Sequence, residues 1–288
     1  MQTVLSIAFD GIAYGMVLFI ISIGLSIMMG LMRVVNLAHG AFAMIGGYLA
    51  SYAMRGLGMN YAIAIIAAVI GTIVISIPFE ILLYRRIYRK SDALTQLLLT
   101  IGITFFIIGV ANFLLGPTLK SIPLPAALSG PMDIGFRMVP THRIFVIACG
   151  VIVALLLWFL IEKTEFGVRL RASVDNSDMA DSLGIRTEWI YAATFALAVG
   201  LGAFGGVVGA ELMPIEPYYA LRYIVTFLVV VSVGGAGSIV GAIAASLLLG
   251  FADTTGKYLA PEYGEFFFYL VVILIVFMFP RGLFGRAH

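Results

Sequence analysis

The chain has 288 residues, 62% of them hydrophobic and only 11% charged, with a mean hydropathy of +1.09. Soluble domains run at roughly 45–50% apolar and ~25% charged, and so few charges cannot solvate the apolar surface left once a core is full. A soluble enzyme, a disordered chain and a nucleic-acid-binding module are excluded. The net charge of +2 adds nothing, and the composition describes an all-α polytopic membrane protein. One span takes about 20 apolar residues, so the apolar content suffices for about eight transmembrane helices. A single cysteine, Cys149, lies in an apolar run, where it can form no intrachain disulfide and belongs to no Cys/His metal spacing. The N-terminus lacks a basic leader and carries Asp10, so its first apolar run reads as a span and not a cleaved signal.

In chain order the apolar runs are 4–31, a shorter Gly-rich 37–54, 61–84, 93–115, 143–161, 190–209, a long 223–251 interrupted by Gly234-Gly235-Ala236-Gly237-Ser238, and a short 266–279. Arg85, Arg86, Arg89 and Lys90 crowd one connection, Lys163, Arg169, Arg171 and Arg186 another, and Arg281 and Arg286 follow the last run. The positive-inside rule makes these three cytoplasmic. The 116–142 connection has only Lys120 and Arg137 but five prolines, and reads as an extended outer loop. The 210–222 and 252–265 connections, acidic and aromatic, also suit the outside. The chain is then outside after Gly209 and inside at Arg281. Because 266–279 crosses once, 223–251 must supply two short crossings or a dip and return. If 37–54 crosses fully the N-terminus is outside, and if it only dips the N-terminus is inside; Arg33 favours the former.

The two interruptions look alike. Val34-Val35-Asn36-Leu37-Ala38-His39-Gly40 leads into Gly46-Gly47, and Val231-Ser232-Val233-Gly234 leads through Gly235, Gly237 and Ser238 into Gly241. Paired Gly-interrupted half-helices in corresponding halves point to an internal repeat around a central path. Backbone that leaves the helix in a bilayer must be buried in protein or line a wet cavity. Asn36 and His39 can satisfy such backbone or face a pore. The glycines permit either close helix approach or a narrow pore wall. Candidates for the translocation path or gate are therefore Asn36, His39, Gly40, Gly46, Gly47, Gly234, Gly235, Gly237 and Ser238.

The segment 162–188 is polar without reading as a linker. Asn176 or Ser177 can cap a short helix with Asp178 in its first turn and Gly184 at its end. Met179, Ala180 and Leu183 are expected to share one apolar face. Asp178 and Asp181 on the other face do not suit a headgroup-lying helix, which favours Lys and Arg there, so a soluble protein partner is expected. Catalytic constellations are absent. Residues 250–258 brush against a phosphate-binding loop, but the spacing is one too long and Tyr258 stands where Ser or Thr must reach the magnesium. No ATP site is expected, and no other cofactor or metal.

Three motifs carry a resemblance: Gly30-Leu31-Met32-Arg33-Val34-Val35-Asn36-Leu37-Ala38-His39-Gly40; Phe166-Gly167-Val168-Arg169-Leu170-Arg171-Ala172 running on through Asp178-Met179-Ala180-Asp181-Ser182-Leu183-Gly184-Ile185; and Val233-Gly234-Gly235-Ala236-Gly237-Ser238-Ile239-Val240-Gly241-Ala242. Together they resemble the permease subunits of bacterial branched-chain amino-acid ABC importers, the LivH-like family, over nearly the whole chain. The resemblance implies one transmembrane permease domain over 1–288, in the bacterial cytoplasmic (inner) membrane. It implies a second homologous permease, two cytoplasmic ATPase subunits that use the ATP, and a periplasmic solute-binding protein. It makes Ser177, Asp178, Met179, Ala180, Leu183 and Gly184 an ATPase-coupling helix. The family commonly has Glu after the His-Gly pair, where this chain has Ala41, so the solute is left open among branched-chain amino acids and related amides or carboxylates. The competing reading is an ion-coupled secondary transporter or channel acting alone, which has no need of the 162–188 segment.

Overall fold

The computed structural model describes residues 2–87, 92–133, 135, 138–279 and 282–284. Arg89, Lys90, Arg137, Arg281 and Arg286, used above for orientation, lie outside these. The helices are α1 (Gln2–Leu31), α2 (His39–Arg55), α3 (Tyr61–Phe79), α4 (Ala93–Leu115), α5 (Thr141–Lys163), α6 (Glu165–Asp175), α7 (Ser177–Ser182), α8 (Thr187–Val208), α9 (Tyr219–Gly234), α10 (Ile239–Leu259) and α11 (Gly264–Met278). The Pro-rich connection holds one helical turn and a small antiparallel hairpin, β1 (Pro131–Asp133) with β2 (Met138–Pro140).

Six helical stretches among the described residues are long and apolar enough to cross a bilayer, against the eight expected: Thr3–Leu31, Tyr61–Ile87, Ala93–Leu115, Thr141–Lys163, Thr187–Val208 and Ile239–Leu259, with Tyr219–Gly234 and Phe266–Met278 as shorter apolar helices. The difference has a physical reason. The run 37–54 yields α2, of 17 residues, the run 223–251 divides into the 16-residue α9 and the longer α10, and α11 has 15 residues. The two interruptions also turn by different means, and the expected internal repeat is not evident in them.

Helix α1 is the centre of the protein. Every residue from Gly15 to Met28 is buried, as expected of a helix apolar all round. It lies along α10, where a Cβ on Gly250 would stand 2.4 Å from the Gly11 carbonyl oxygen and one on Gly15 2.8 Å from that of Ser246. The stretch 250–258 lies wholly within helical α10, so it forms no phosphate-binding loop. Helices α2 and α8 approach as closely, a Cβ on Gly46 meeting Ala203 Cα at 2.6 Å and one on Gly206 meeting the Ala43 carbonyl oxygen at 2.1 Å.

Helix ends sort onto two faces. On one, Asp10 pairs with Arg143 and accepts from the Tyr258 hydroxyl at 2.7 Å. Ser51 donates to the Ser121 carbonyl at 3.3 Å, and the Lys120 N–H to that of Ile215 at 2.9 Å. On the other, Arg85 lies 3.6 Å from Glu188 and Leu283 N–H donates to the Val233 carbonyl at 2.6 Å. The start of α1 therefore shares a face with the 116–140 connection, and α2 ends on that face.

Overpacking a close helix contact costs about 1–3 kcal/mol. Gly206→Ala should lower the thermal midpoint in detergent, whereas Gly102→Ala, with nothing within 4 Å of the added methyl, should hold or raise it. Equal midpoints would show that α2 and α8 do not touch as described.

Candidate functional site

The first interruption, residues 33–38, leaves helical geometry between α1 and α2, with Arg33 at a positive φ of 55°. Its backbone is satisfied from three directions. Val34 N–H bonds the Met28 carbonyl at 3.0 Å. On α4, Gln96 Oε1 accepts from Val35 N–H at 3.0 Å and Thr100 Oγ1 from Leu37 N–H at 3.2 Å. Asn36 Oδ1 accepts from Ala38 N–H at 3.0 Å and from the Tyr84 hydroxyl at 2.6 Å, while its amide faces Met28 Sδ at 3.2 Å. Asn36 and Tyr84 are fully buried.

His39 opens α2 and is fully buried. Its Nε2 lies 2.8 Å from the Ile21 carbonyl oxygen. A carbonyl only accepts, so Nε2 carries a proton and donates; among the described residues Nδ1 has no hydrogen-bond partner. The ring fills a slot between α1 and α8 left by two glycines, since a Cβ on Gly24 would stand 2.8 Å and one on Gly202 3.1 Å from His39 Cε1. Ala41, two residues on, is also fully buried.

The second interruption turns over through Gly235 at φ +90° and Gly237 at φ +81°, a region that costs glycine nothing. Ser238 then caps α10, its Oγ accepting from Gly241 N–H at 2.9 Å. The two interruptions lie against each other. Gly237 N–H donates to Ser26 Oγ at 3.0 Å, and a Cβ on Gly30 would stand 2.0 Å from Gly237 N. The other candidate glycines face neighbouring backbone or side chains: Gly40 towards Ala220, Gly46 towards Ala203, Gly47 towards Ile215 and Gly234 towards Gly241.

The 162–188 segment is clamped to its neighbours. Arg171 donates to the Ile161 carbonyl at 3.0 Å and the Tyr191 hydroxyl to that of Ser173 at 2.7 Å. Asn176 caps α7, accepting from Met179 N–H at 3.0 Å. Gly184, at φ +85°, closes it with Gly184 N–H to the Asp181 carbonyl and Ile185 N–H to that of Ala180, both 3.0 Å; this paired pattern satisfies the last carbonyls. Asp181 then accepts from Thr187 N–H at 3.2 Å and Oγ1 at 2.8 Å, seating the start of α8. The expected apolar face is corrected at one position. Ala180 is buried at 3% exposure, because it lies about 100° round the helix from Met179, on the side turned towards the protein. Met179 (61% exposed) and Leu183 (73%) remain outside, and Trp189 of α8 (70%) joins them. Leu183, Trp189, Arg169 and Arg186 line a cavity of about 460 Å³. Ser177 is half-buried and Asp178 exposed.

Sequence reading thus missed Ser26, Tyr84, Gln96, Thr100 and Trp189. Gln96 and Thr100 carried a signal, two polar residues at i, i+4 spacing within an apolar span. Among the described residues no group of His, Cys, Asp and Glu could hold a metal ion.

These features are those of a multi-pass membrane protein with a shaped polar segment on one face, and comparison with known proteins gives the class. The family model described as the permease component of the branched-chain amino acid transport system matches residues 7–276, and the chain belongs to that family. It is similar to the high-affinity branched-chain amino acid transport system permease protein LivH of Escherichia coli K12, 28% identical over 97% of this chain and 95% of that protein. The corresponding permease protein BraD of Pseudomonas aeruginosa is 26% identical over the same shares, and a probable LivH of Methanocaldococcus jannaschii 27% identical over 93% and 86%. No solved structure is significantly similar.

Asn36→Ala leaves the Ala38 N–H and the Tyr84 hydroxyl buried without an acceptor, at about 1–3 kcal/mol for each orphaned group. Gln96→Ala orphans the Val35 N–H, one donor of the same segment. The thermal midpoint in detergent should fall further for Asn36→Ala; the reverse order would remove Asn36 from the centre of the network.

Proposed function

We propose that the chain is the transmembrane permease subunit of an ATP-binding-cassette importer in the bacterial cytoplasmic (inner) membrane. It forms, with a second homologous permease, the path for a small polar solute, a branched-chain amino acid or related amide or carboxylate, delivered by a periplasmic binding protein. Two cytoplasmic ATPase subunits bind and hydrolyse the ATP, and this chain holds no cofactor. The observation that carries the reading is the capped, clamped α7, which presents Met179 and Leu183 with Trp189 to solvent. Exposed aromatic and aliphatic anchors beside a cleft are what a partner's groove buries. In this reading the segment docks on the ATPase, and the face carrying Arg85, Arg86, Lys163, Arg169 and Arg186 is cytoplasmic.

The touching interruptions act as the gate on the cytoplasmic side. Gly30 and Gly237 close it by backbone contact, with the Ser26 hydroxyl accepting from Gly237 N–H, and Gly234, Gly235 and Ser238 shape the turn that opens it. Asn36 and His39 set how α2 leaves α1, while Gly40, Gly46 and Gly47 let α2 slide against α9, α8 and the connection between them. His39 holds α1 in register by its bond to Ile21 and does not touch the solute.

The test begins with co-purification from the native host. The wild-type chain should bring down two copies of an ATPase and a second permease. Leu183→Asp, on a side chain already in solvent, should leave the yield of folded permease unchanged and abolish ATPase recovery and uptake of labelled leucine, isoleucine or valine, because an unpaired charge is costly to bury in an interface. A wild-type chain that transports alone in liposomes would establish the lone carrier instead. Orientation is read in intact cells on a Cys149→Ser background. An impermeant maleimide should label Ser129→Cys and spare Arg186→Cys, and labelling at position 186 would put the docking segment on the wrong side.

A further inference from the structure

Helix α3 does not end as an ordinary α-helix. After Pro78, which cannot donate a backbone hydrogen bond, residues Glu80–Tyr84 form a π-helical turn in which Arg85 N–H reaches back to the Glu80 carbonyl. The wider turn takes up one extra residue, which swings the following side chains by roughly 100° about the helix axis. Tyr84, the last residue of that turn, is fully buried. Its hydroxyl donates to Asn36 Oδ1 at 2.6 Å, and its ring lies 4.7 Å, centroid to centroid, from that of Phe195 on α8. Phe195 is 5.9 Å from Phe42 of α2, which is 6.2 Å from Phe79 at the end of α3.

Phe195 and Tyr191 stand four residues apart on one face of α8. Tyr191 is tied to the Ser173 carbonyl of α6, and the first residue of α8, Thr187, is tied twice to Asp181 of α7. One rigid helix therefore carries the clamped polar segment at one point and the Tyr84 ring a turn further on. Tyr84 is the buried group that links this helix to Asn36, whose side chain holds the first interruption.

We propose that Tyr84 is a positioning residue that couples the α6–α7 segment to the Asn36 interruption, with the π turn as its two-state element. When α8 follows a movement of α7, the π turn expels its extra residue and tightens to α geometry. The Tyr84 hydroxyl then leaves Asn36 Oδ1, and residues 33–38 lose one of the bonds that fix their path. Tyr84 acts through Asn36 and contacts no solute. The inference rests on the proposed ATPase partnership, and a two-state element biased from both ends is what physical coupling requires.

The test uses the complex purified with its ATPases, in lipid nanodiscs. Leu37→Cys on the Cys149→Ser background reports on the interruption through its rate of labelling by fluorescein-5-maleimide, so no solute need be known. With Tyr84 present, trapping the ATPases with ATP and vanadate should change that rate by about threefold or more. Tyr84→Phe, which removes one oxygen atom, should abolish the change while ATP hydrolysis stays within about twofold of the parent. Phe195→Leu breaks the same link from the other side and should do the same, so the test stands if Tyr84→Phe does not fold. A trapping-dependent change that survives in a folded variant of either kind, or a parent that shows none, overturns the inference. If no ATPase accompanies the wild-type chain, the proposed function fails first and this coupling with it.

Discussion

Inside a bilayer no water is present to satisfy a peptide group, so any backbone that leaves the helix must be given partners by the protein. The first interruption shows how much of the chain that requirement recruits. Gln96 and Thr100 on α4, Tyr84 beyond α3 and Met28 on α1 all converge on residues 34–38, which lie outside the α1 and α2 helical ladders. Four helices are thereby fixed relative to one another by a segment of six residues. The aromatic contacts among Phe42, Phe79, Tyr84 and Phe195 are built around the same point.

The second constraint is that lipid is as apolar as leucine, so helices gain little by leaving it and must associate through close packing. Bare glycine faces supply that packing along α1, where Gly11 and Gly15 meet α10, Gly24 admits Ala198 and the His39 ring, and Gly30 meets Gly237. Glycine therefore serves two ends in this protein. At Gly235 and Gly237 it permits a turn that other residues resist, and along α1 it lets two backbones touch.

Much of this was legible in the sequence. Apolar runs located the helices because a span needs a fixed length of apolar chain, and the basic connections separated the two faces. Asn176, Asp178 and Gly184 marked a capped helix, since caps are local chemistry. Contacts between distant segments were not legible. Nothing near Gly30 announces Gly237, and nothing near Asn36 announces Tyr84, because each partner is set by the packing of whole helices. Ala180 was misplaced because it stands about 100° round the helix from Met179, and which side of a six-residue helix meets the protein is set by the packing of its neighbours. Three of the apolar runs gave helices of only 15–17 residues, because glycine-rich interruptions and a short last run cut the helical length. The π turn left no periodic signature beyond a proline inside a span.

The central position of α1 bears on how the protein is made. Its densest partner, α10, lies more than two hundred residues later in the chain, so α1 enters the membrane long before the helix that covers it. Until α10 arrives, the glycine face of α1 looks onto lipid, Asp10 has Arg143 but not Tyr258, and Ser26 has no Gly237 N–H to receive. A nascent chain halted before α10 therefore keeps an unfilled groove along its first helix. That groove is a surface that any other helix with a small-residue stripe can fill.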